Sequence, residues 1–334
     1  MLKGCFLINV IKIICIIIGT FVGAGFASGK EILLFFYQYG TVGIIGIAIS
    51  VTFIGFIIYK TIFICKRENI NDYNKFLDLI ISNILIREII KKSINIFLLI
   101  SFGVMISGFC SFIKQEFFIE KYISYVIIIT ICIYAFSRNL KVLINISNIL
   151  VPIIILFIMY CTIKNYLTGM ESHLIGSTAN SNLFFIDAIL YSNYNLLGMI
   201  PIVIIVSNSI RKKIDTVNIA FFSAIIIGLL ACCMFKILKY VPEEKLYLDF
   251  PIVKIIEGFG SNYRNLYCMI IAFSIVTTAL SVGYTYIQNS RLKLSILLFF
   301  SFIAVQVSFS ELLKTLYPVC GVIGVVQCFF IVKK

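Results

Sequence analysis

The feature that most constrains this chain is the length of its apolar runs. Stretches of about twenty residues, almost free of charge, follow one another along the chain, and a helix of about 20 apolar residues spans the hydrocarbon core of a bilayer. A membrane strand needs only about 9–11 alternating residues, so runs this long and continuous favour helices. Composition agrees. The chain is 61% hydrophobic and 13% charged, against roughly 25% charged in soluble domains. A globule of this composition could not cover its surface with polar groups, whereas in lipid a helix satisfies its own backbone. The expected fold is an all-α membrane protein, a single transporter domain over residues 1–334. About ten transmembrane helices are expected near 5–38 (long and interrupted), 41–64, 94–114, 121–137, 141–163, 183–208 (interrupted), 216–239, 265–288, 293–309 and 312–332. The segment 69–92 carries Phe76, Leu77, Ile80, Ile81, Ile84 and Leu85 at helical spacing among charged residues. It reads as one amphipathic helix lying on the membrane surface.

The net charge of +13 first suggests a nucleic-acid partner, but its distribution points to a lipid bilayer. With the N-terminus inside, the inner segments collect Lys60, Lys66 and Arg67, then Arg87, Lys91 and Lys92, then Arg138 and Lys141, then Arg211, Lys212 and Lys213, then Arg291 and Lys293, and finally Lys333 and Lys334. Their acidic companions are only Glu68, Asp72, Asp78, Glu88 and Asp215, while the outer segments are balanced. Excess Lys and Arg mark the cytoplasmic side. The expectation is a multi-pass protein of the cytoplasmic membrane with both termini inside and no nucleic acid. Most cysteines lie in apolar runs, there is no CxxC pair, and His173 is the single histidine, so neither a zinc site nor a disulfide framework is expected. Lys3 before an apolar stretch imitates a signal peptide, but the small-residue patch that follows has a better explanation.

That patch is Gly19-Thr20-Phe21-Val22-Gly23-Ala24-Gly25-Phe26-Ala27-Ser28-Gly29 in the first span. Each glycine costs about 1 kcal/mol relative to alanine in a helix interior, so four so close together predict a break; close helix packing is the plainer alternative. The sixth span carries Tyr191-Ser192-Asn193-Tyr194-Asn195-Leu196-Leu197-Gly198, a polar island that could also be a run of interhelical hydrogen bonds. Interruptions at corresponding places in two five-helix halves, about 1–164 and 183–334, point to an inverted-repeat transporter with a midplane site. Unwound backbone offers carbonyls to a cation and N–H groups to a carboxylate, which suits an amino-acid-like small solute. The substrate-binding candidates are Thr20, Gly23, Ala24, Gly25, Ser28, Ser192, Asn193, Tyr194 and Asn195.

Val22-Gly23-Ala24-Gly25-Phe26-Ala27-Ser28-Gly29-Lys30-Glu31-Ile32 with Phe35-Phe36, together with Tyr191-Ser192-Asn193-Tyr194-Asn195, Thr277-Thr278 and Leu316-Tyr317-Pro318-Val319-Cys320-Gly321, resembles the YkvI family of bacterial membrane proteins. The resemblance runs from the first helix to the tenth. It implies the LeuT fold of the amino acid–polyamine–organocation superfamily, a 5+5 inverted repeat with helices 1 and 6 broken, and a secondary transporter. It also implies a sodium site in which carbonyls of Gly19 and Val22 join Ser274, Thr277 and Thr278; a threonine bonding its own i−4 carbonyl is the plainer alternative. Lys30 stands where the family pattern leads one to expect glutamine.

Glu31 is a proton-coupling or ligand-binding candidate, and the spacing from Ser28 also fits a capping box. Lys30 is expected to snorkel outward, with pairing or a fixed charge near the site as alternatives. Asp187 is a second coupling candidate or a headgroup-level residue. Tyr317-Pro318 is expected to kink the tenth helix, and Asn145, Ser147 and Asn148 could line an exit path. No HExxH, GxSxG or paired-aspartate pattern suggests an enzyme. The leading reading is a secondary transporter coupled to sodium or protons, with no cofactor beyond a sodium ion. A ligand-sensing subunit of the germinant-receptor type, without net transport, is the alternative, and a channel the third.

Overall fold

A computed structural model describes residues 2–137, 141–167, 183–210, 212–289 and 294–334. His173, Arg138, Arg211, Arg291 and Lys293 lie outside the described residues, as do the side chains of Asn145, Ser147 and Asn148. Among the described residues every regular element is helical. The helices are α1 (Leu2–Phe21), α2 (Ala24–Ser28), α3 (Lys30–Phe35), α4 (Gly43–Glu68), α5 (Tyr73–Ile80), α6 (Ile84–Phe117) and α7 (Lys121–Phe136). They continue as α8 (Lys141–Leu167), α9 (Phe184–Ser207), α10 (Lys213–Leu238), α11 (Pro251–Glu257), α12 (Ser261–Asn289), α13 (Leu294–Gln306) and α14 (Phe309–Lys333).

Among the described residues seven stretches are long and apolar enough to cross a membrane: Tyr37–Glu68, Ile84–Phe117, Leu150–Leu167, Phe184–Ser207, Lys213–Leu238, Ser261–Ile287 and Phe309–Lys333. Three shorter apolar helices, Val10–Phe21, Lys121–Phe136 and Leu294–Gln306, accompany them. Large apolar side chains such as Phe185, Phe221, Phe299 and Phe329 are exposed, as expected where lipid replaces water as the solvent. This is a multi-pass membrane protein.

The most extensive packing joins α9 to α14 and to α4, α6 to α12 and α13, and α10 to α4. Close approach explains the first of these. A Cβ on Gly324 would collide with the Asn193 carbonyl, and one on Gly321 would lie 2.7 Å from the Leu190 carbonyl, so small residues on α14 let two backbones touch.

Two local expectations need correction, and one segment left unassigned proves to be folded. The segment 69–92 is two elements. Asp72 caps α5 through the Lys75 N–H at 2.9 Å, and Asn83 caps a new helix through the N–H groups of Leu85 and Ile86. Two side-chain caps close together divide what apolar periodicity joined, and residues 84–92 run straight into α6. The segment 240–258 between the seventh and eighth expected spans is folded: a 3-10 turn at Glu243–Lys245 precedes α11, which has Pro251 in its first turn. Finally, α9 is continuous through its polar island, for reasons given below.

Candidate functional site

The first span comes apart where its glycines predict. The Gly23 N–H turns to the Phe21 carbonyl at 2.9 Å, so the Gly19 carbonyl, four residues back, loses its helical donor. Gly23 itself is extended, with φ −94° and ψ −170°. A second break follows at Gly29, whose φ of +83° suits glycine and few other residues. The short α2 between the breaks is held by Tyr267 of α12, whose hydroxyl donates to the Ala27 carbonyl at 2.6 Å.

The sixth span behaves differently because its polar groups close on their own helix. Ser192 Oγ and Asn193 Nδ2 both donate to the Ile189 carbonyl, at 2.9 and 2.8 Å, and Asn195 Nδ2 donates to Tyr191 at 3.0 Å. Such back-bonds satisfy the side chain without opening the backbone. Gly198 is the single glycine of α9; α1 and its fragments carry four within eleven residues.

Between α1, α6, α9 and α12 lies a cavity of ≈ 190 Å³. Of the expected site residues, Gly19, Thr20, Gly23, Glu31, Tyr194, Asn195, Thr277 and Thr278 line it. Ala24, Gly25, Ser28, Ser192, Asn193, Val22, Ser274 and Asp187 do not. Ser28 is buried with its Oγ on the Gly25 carbonyl at 2.9 Å. Asp187 is held at the other end of α9 by the Tyr39 hydroxyl at 2.6 Å and Gln38 Nε2 at 3.2 Å.

Sequence reasoning missed Ser281 and Thr285, which continue Thr277 down one face of α12, and Phe97, Leu98, Ser101 and Met105 of α6. The four-residue spacing of Thr277, Ser281 and Thr285 was a readable signal. The α6 residues gave none, since apolar side chains look alike whether they face a cavity or a neighbour.

Thr277 donates to the Phe273 and Ser274 carbonyls and Thr278 to Ser274, the local bonding weighed against a sodium site; the Ser274 hydroxyl is buried without a partner. Glu31 does not complete a capping box. Gly29 is the cap residue of α3 and no side chain caps it. The Glu31 carboxyl instead packs against Gly25, where a Cβ would strike it, and beside Phe26 and Tyr194. Its Oε2 and the Tyr194 hydroxyl both lack a partner with hydrogen-bond geometry. Lys30 does not snorkel outward. It is 4% exposed, with Nζ donating to the Leu246 carbonyl at 2.8 Å, because the folded 240–258 segment covers it.

An aromatic layer closes the cavity on the α2–α3 side. Tyr194 stacks on Tyr317 at 4.3 Å and on Phe35 at 5.8 Å, while Tyr191 packs edge-on against Phe36 at 4.7 Å and Phe21 at 6.2 Å.

No family model matches the chain. Two proteins of Bacillus subtilis (strain 168) are similar to it along nearly all of their length. The uncharacterized membrane protein YkvI is 23% identical over 321 residues, covering 92% of this chain and 90% of YkvI. The chain is similar to YkvI from end to end. The uncharacterized protein YyaD is also 23% identical, over 336 residues, covering 94% of this chain and 93% of YyaD. The YkvI likeness therefore takes in the α1 break, the cavity walls and α14 together.

Proposed function

We propose that this YkvI relative is a secondary carrier of a small organic solute, working by alternating access across the cytoplasmic membrane. The observation that carries the reading is the cavity at the α1 break, where freed backbone, hydroxyls, an amide and a carboxyl converge inside a largely apolar bundle.

The packing supports a 5+5 repeat of ten spans, with α1–α3, α4, α6, α7 and α8 matched to α9, α10, α12, α13 and α14. Under that exchange α1 against α8 becomes α9 against α14, and α4 against α9 becomes α10 against α1; both members of each pair are in contact. The pairs α6–α14 and α12–α8, and α6–α13 and α12–α7, correspond likewise. Ion pairs among the described residues support sorting the polar segments onto two opposite faces. Arg67, Arg87 and Lys91 pair with Glu68, Asp78 and Glu88 of the inner segments, and Lys254 and Arg264 pair with Glu116 and Glu257 of the outer ones. On this topology the cavity occupies the cytoplasmic half and the aromatic layer seals the outer half. A sodium ion at Gly19, Val22, Ser274, Thr277 and Thr278 would use hard oxygen donors, which suit it.

Purified protein in liposomes, given a panel of small solutes under imposed sodium and proton gradients, tests this. Saturable uptake that follows one gradient is the expected result. Saturable binding without flux would favour the receptor-subunit reading, and conductance without saturation a channel.

A further inference from the structure

Among the described residues lining the cavity Glu31 alone bears a charged group. The other polar walls are the hydroxyls of Thr20, Ser101, Thr277, Thr278, Ser281 and Thr285, the phenols of Tyr194 and Tyr317, and the Asn195 amide. Glu31 is 3% exposed; the Tyr194 hydroxyl and the Phe26 backbone face its carboxyl, and Oε2 has no partner with hydrogen-bond geometry. The neighbouring cation is unavailable to it, since Lys30 is turned away onto the Leu246 carbonyl. The titratable groups that face Glu31 from packed helices are Tyr191 and Tyr194 of α9 and Tyr317 of α14; the lining residues of α1, α6 and α12 carry none.

A buried carboxylate with no cation beside it is costly, and a buried acid avoids the cost by holding a proton or acquiring a cation. Resting on the reading that this cavity holds the solute, we infer that Glu31 selects it by charge: the ligand is an organic ammonium on an apolar body, and it binds by exchange for a proton. The neutral acid releases H⁺ to bulk water, and the resulting carboxylate pairs with the ammonium nitrogen. One positive charge enters as one leaves, so the site never holds an isolated anion. Phe97, Leu98, Ile202, Ile205 and Val282 supply the apolar wall. A ligand carboxylate would find no basic side chain there, so the site has no use for one. A metal cation would need a shell of several oxygens, whereas an ammonium carries three donors for one carboxyl oxygen and nearby hydroxyls.

Titration calorimetry on the full chain in detergent tests this with 3-methylbutylamine, leucine, 4-methylpentanoic acid and sodium chloride as probes. Running the amine in two buffers of different ionisation enthalpy counts the protons released. The amine is expected to bind at least as tightly as leucine with release of about one proton, the acid to bind not at all, and Glu31→Gln to weaken the amine at least tenfold. Glu31→Asp, which keeps the charge, is expected to retain proton release and serves if the glutamine variant does not fold. Binding of leucine or the acid without the amine overturns the inference. So does amine binding that Glu31→Gln leaves unchanged, or a Glu31-dependent response to sodium alone. Amine that binds but is not taken up by liposomes defeats the carrier reading and leaves this one standing. Uptake that Glu31→Gln does not alter does the reverse.

Discussion

Two helices in this molecule carry polar or glycine-rich interruptions, and only one of them breaks. In the first span the weakness lies in the backbone: Gly23 abandons the Gly19 carbonyl and Gly29 adopts a left-handed turn. In α9 it lies in the side chains, and Ser192, Asn193 and Asn195 return their donors to carbonyls three and four residues back. A polar residue in a membrane helix can be its own remedy, whereas a run of glycines has no side chain with which to repair the ladder.

The largest expected effect tests the broken member of the pair. Gly29→Val places a branched side chain at φ +83° and drives its Cβ into Ile252 of α11. It should cost on the order of 3 kcal/mol, read as a lowered melting temperature in detergent; an unchanged melt would mean that the turn at 29 is not held. Next, Gly324→Ala forces a methyl onto the Asn193 carbonyl across the α9–α14 contact. Overpacking of this kind costs about 1–3 kcal/mol, and equal stability would show that α9 can shift there. The third effect has the opposite sign. A Cβ at Gly198 meets only the Phe97 ring, at 3.5 and 3.6 Å, so Gly198→Ala should stabilise a continuous α9 by about 1 kcal/mol. A lower melting temperature would instead reveal a helix that opens at 198. Smallest of all, Asn195→Leu removes one back-bond and should change stability by about 0.6 kcal/mol or less. A loss of several times that would mean the amide bonds elsewhere.

The helices and the first break were legible because their signals are local: apolar length, glycine density and the sidedness of lysine and arginine. The continuity of α9 was not, since Asn193 and Asn195 read the same whether they face a solute or their own backbone. Glu31 fitted a capping box by spacing, but the αL turn at Gly29 points its carboxyl back toward Gly25, and only the folded chain fixes that direction. Lys30 was misread because its acceptor, the Leu246 carbonyl, lies 216 residues away on a segment with little hydrophobic periodicity. The α6 wall of the cavity left no trace in the sequence, because Phe97 and Met105 are ordinary membrane residues until a neighbour withdraws from them.

The rings of Phe21, Phe35, Tyr191, Tyr194 and Tyr317 come from three separate stretches of chain, so no single hinge can part them. If the protein is the carrier proposed above, opening this layer has to part rings held on α3, α9 and α14, at about 0.5–1.5 kcal/mol for each ring pair separated. Thermal motion can supply that much, while an ion at the closed layer would find only a few phenol oxygens among ring faces and edges. On that reading, leak resistance and readiness to open would rest on the same few rings.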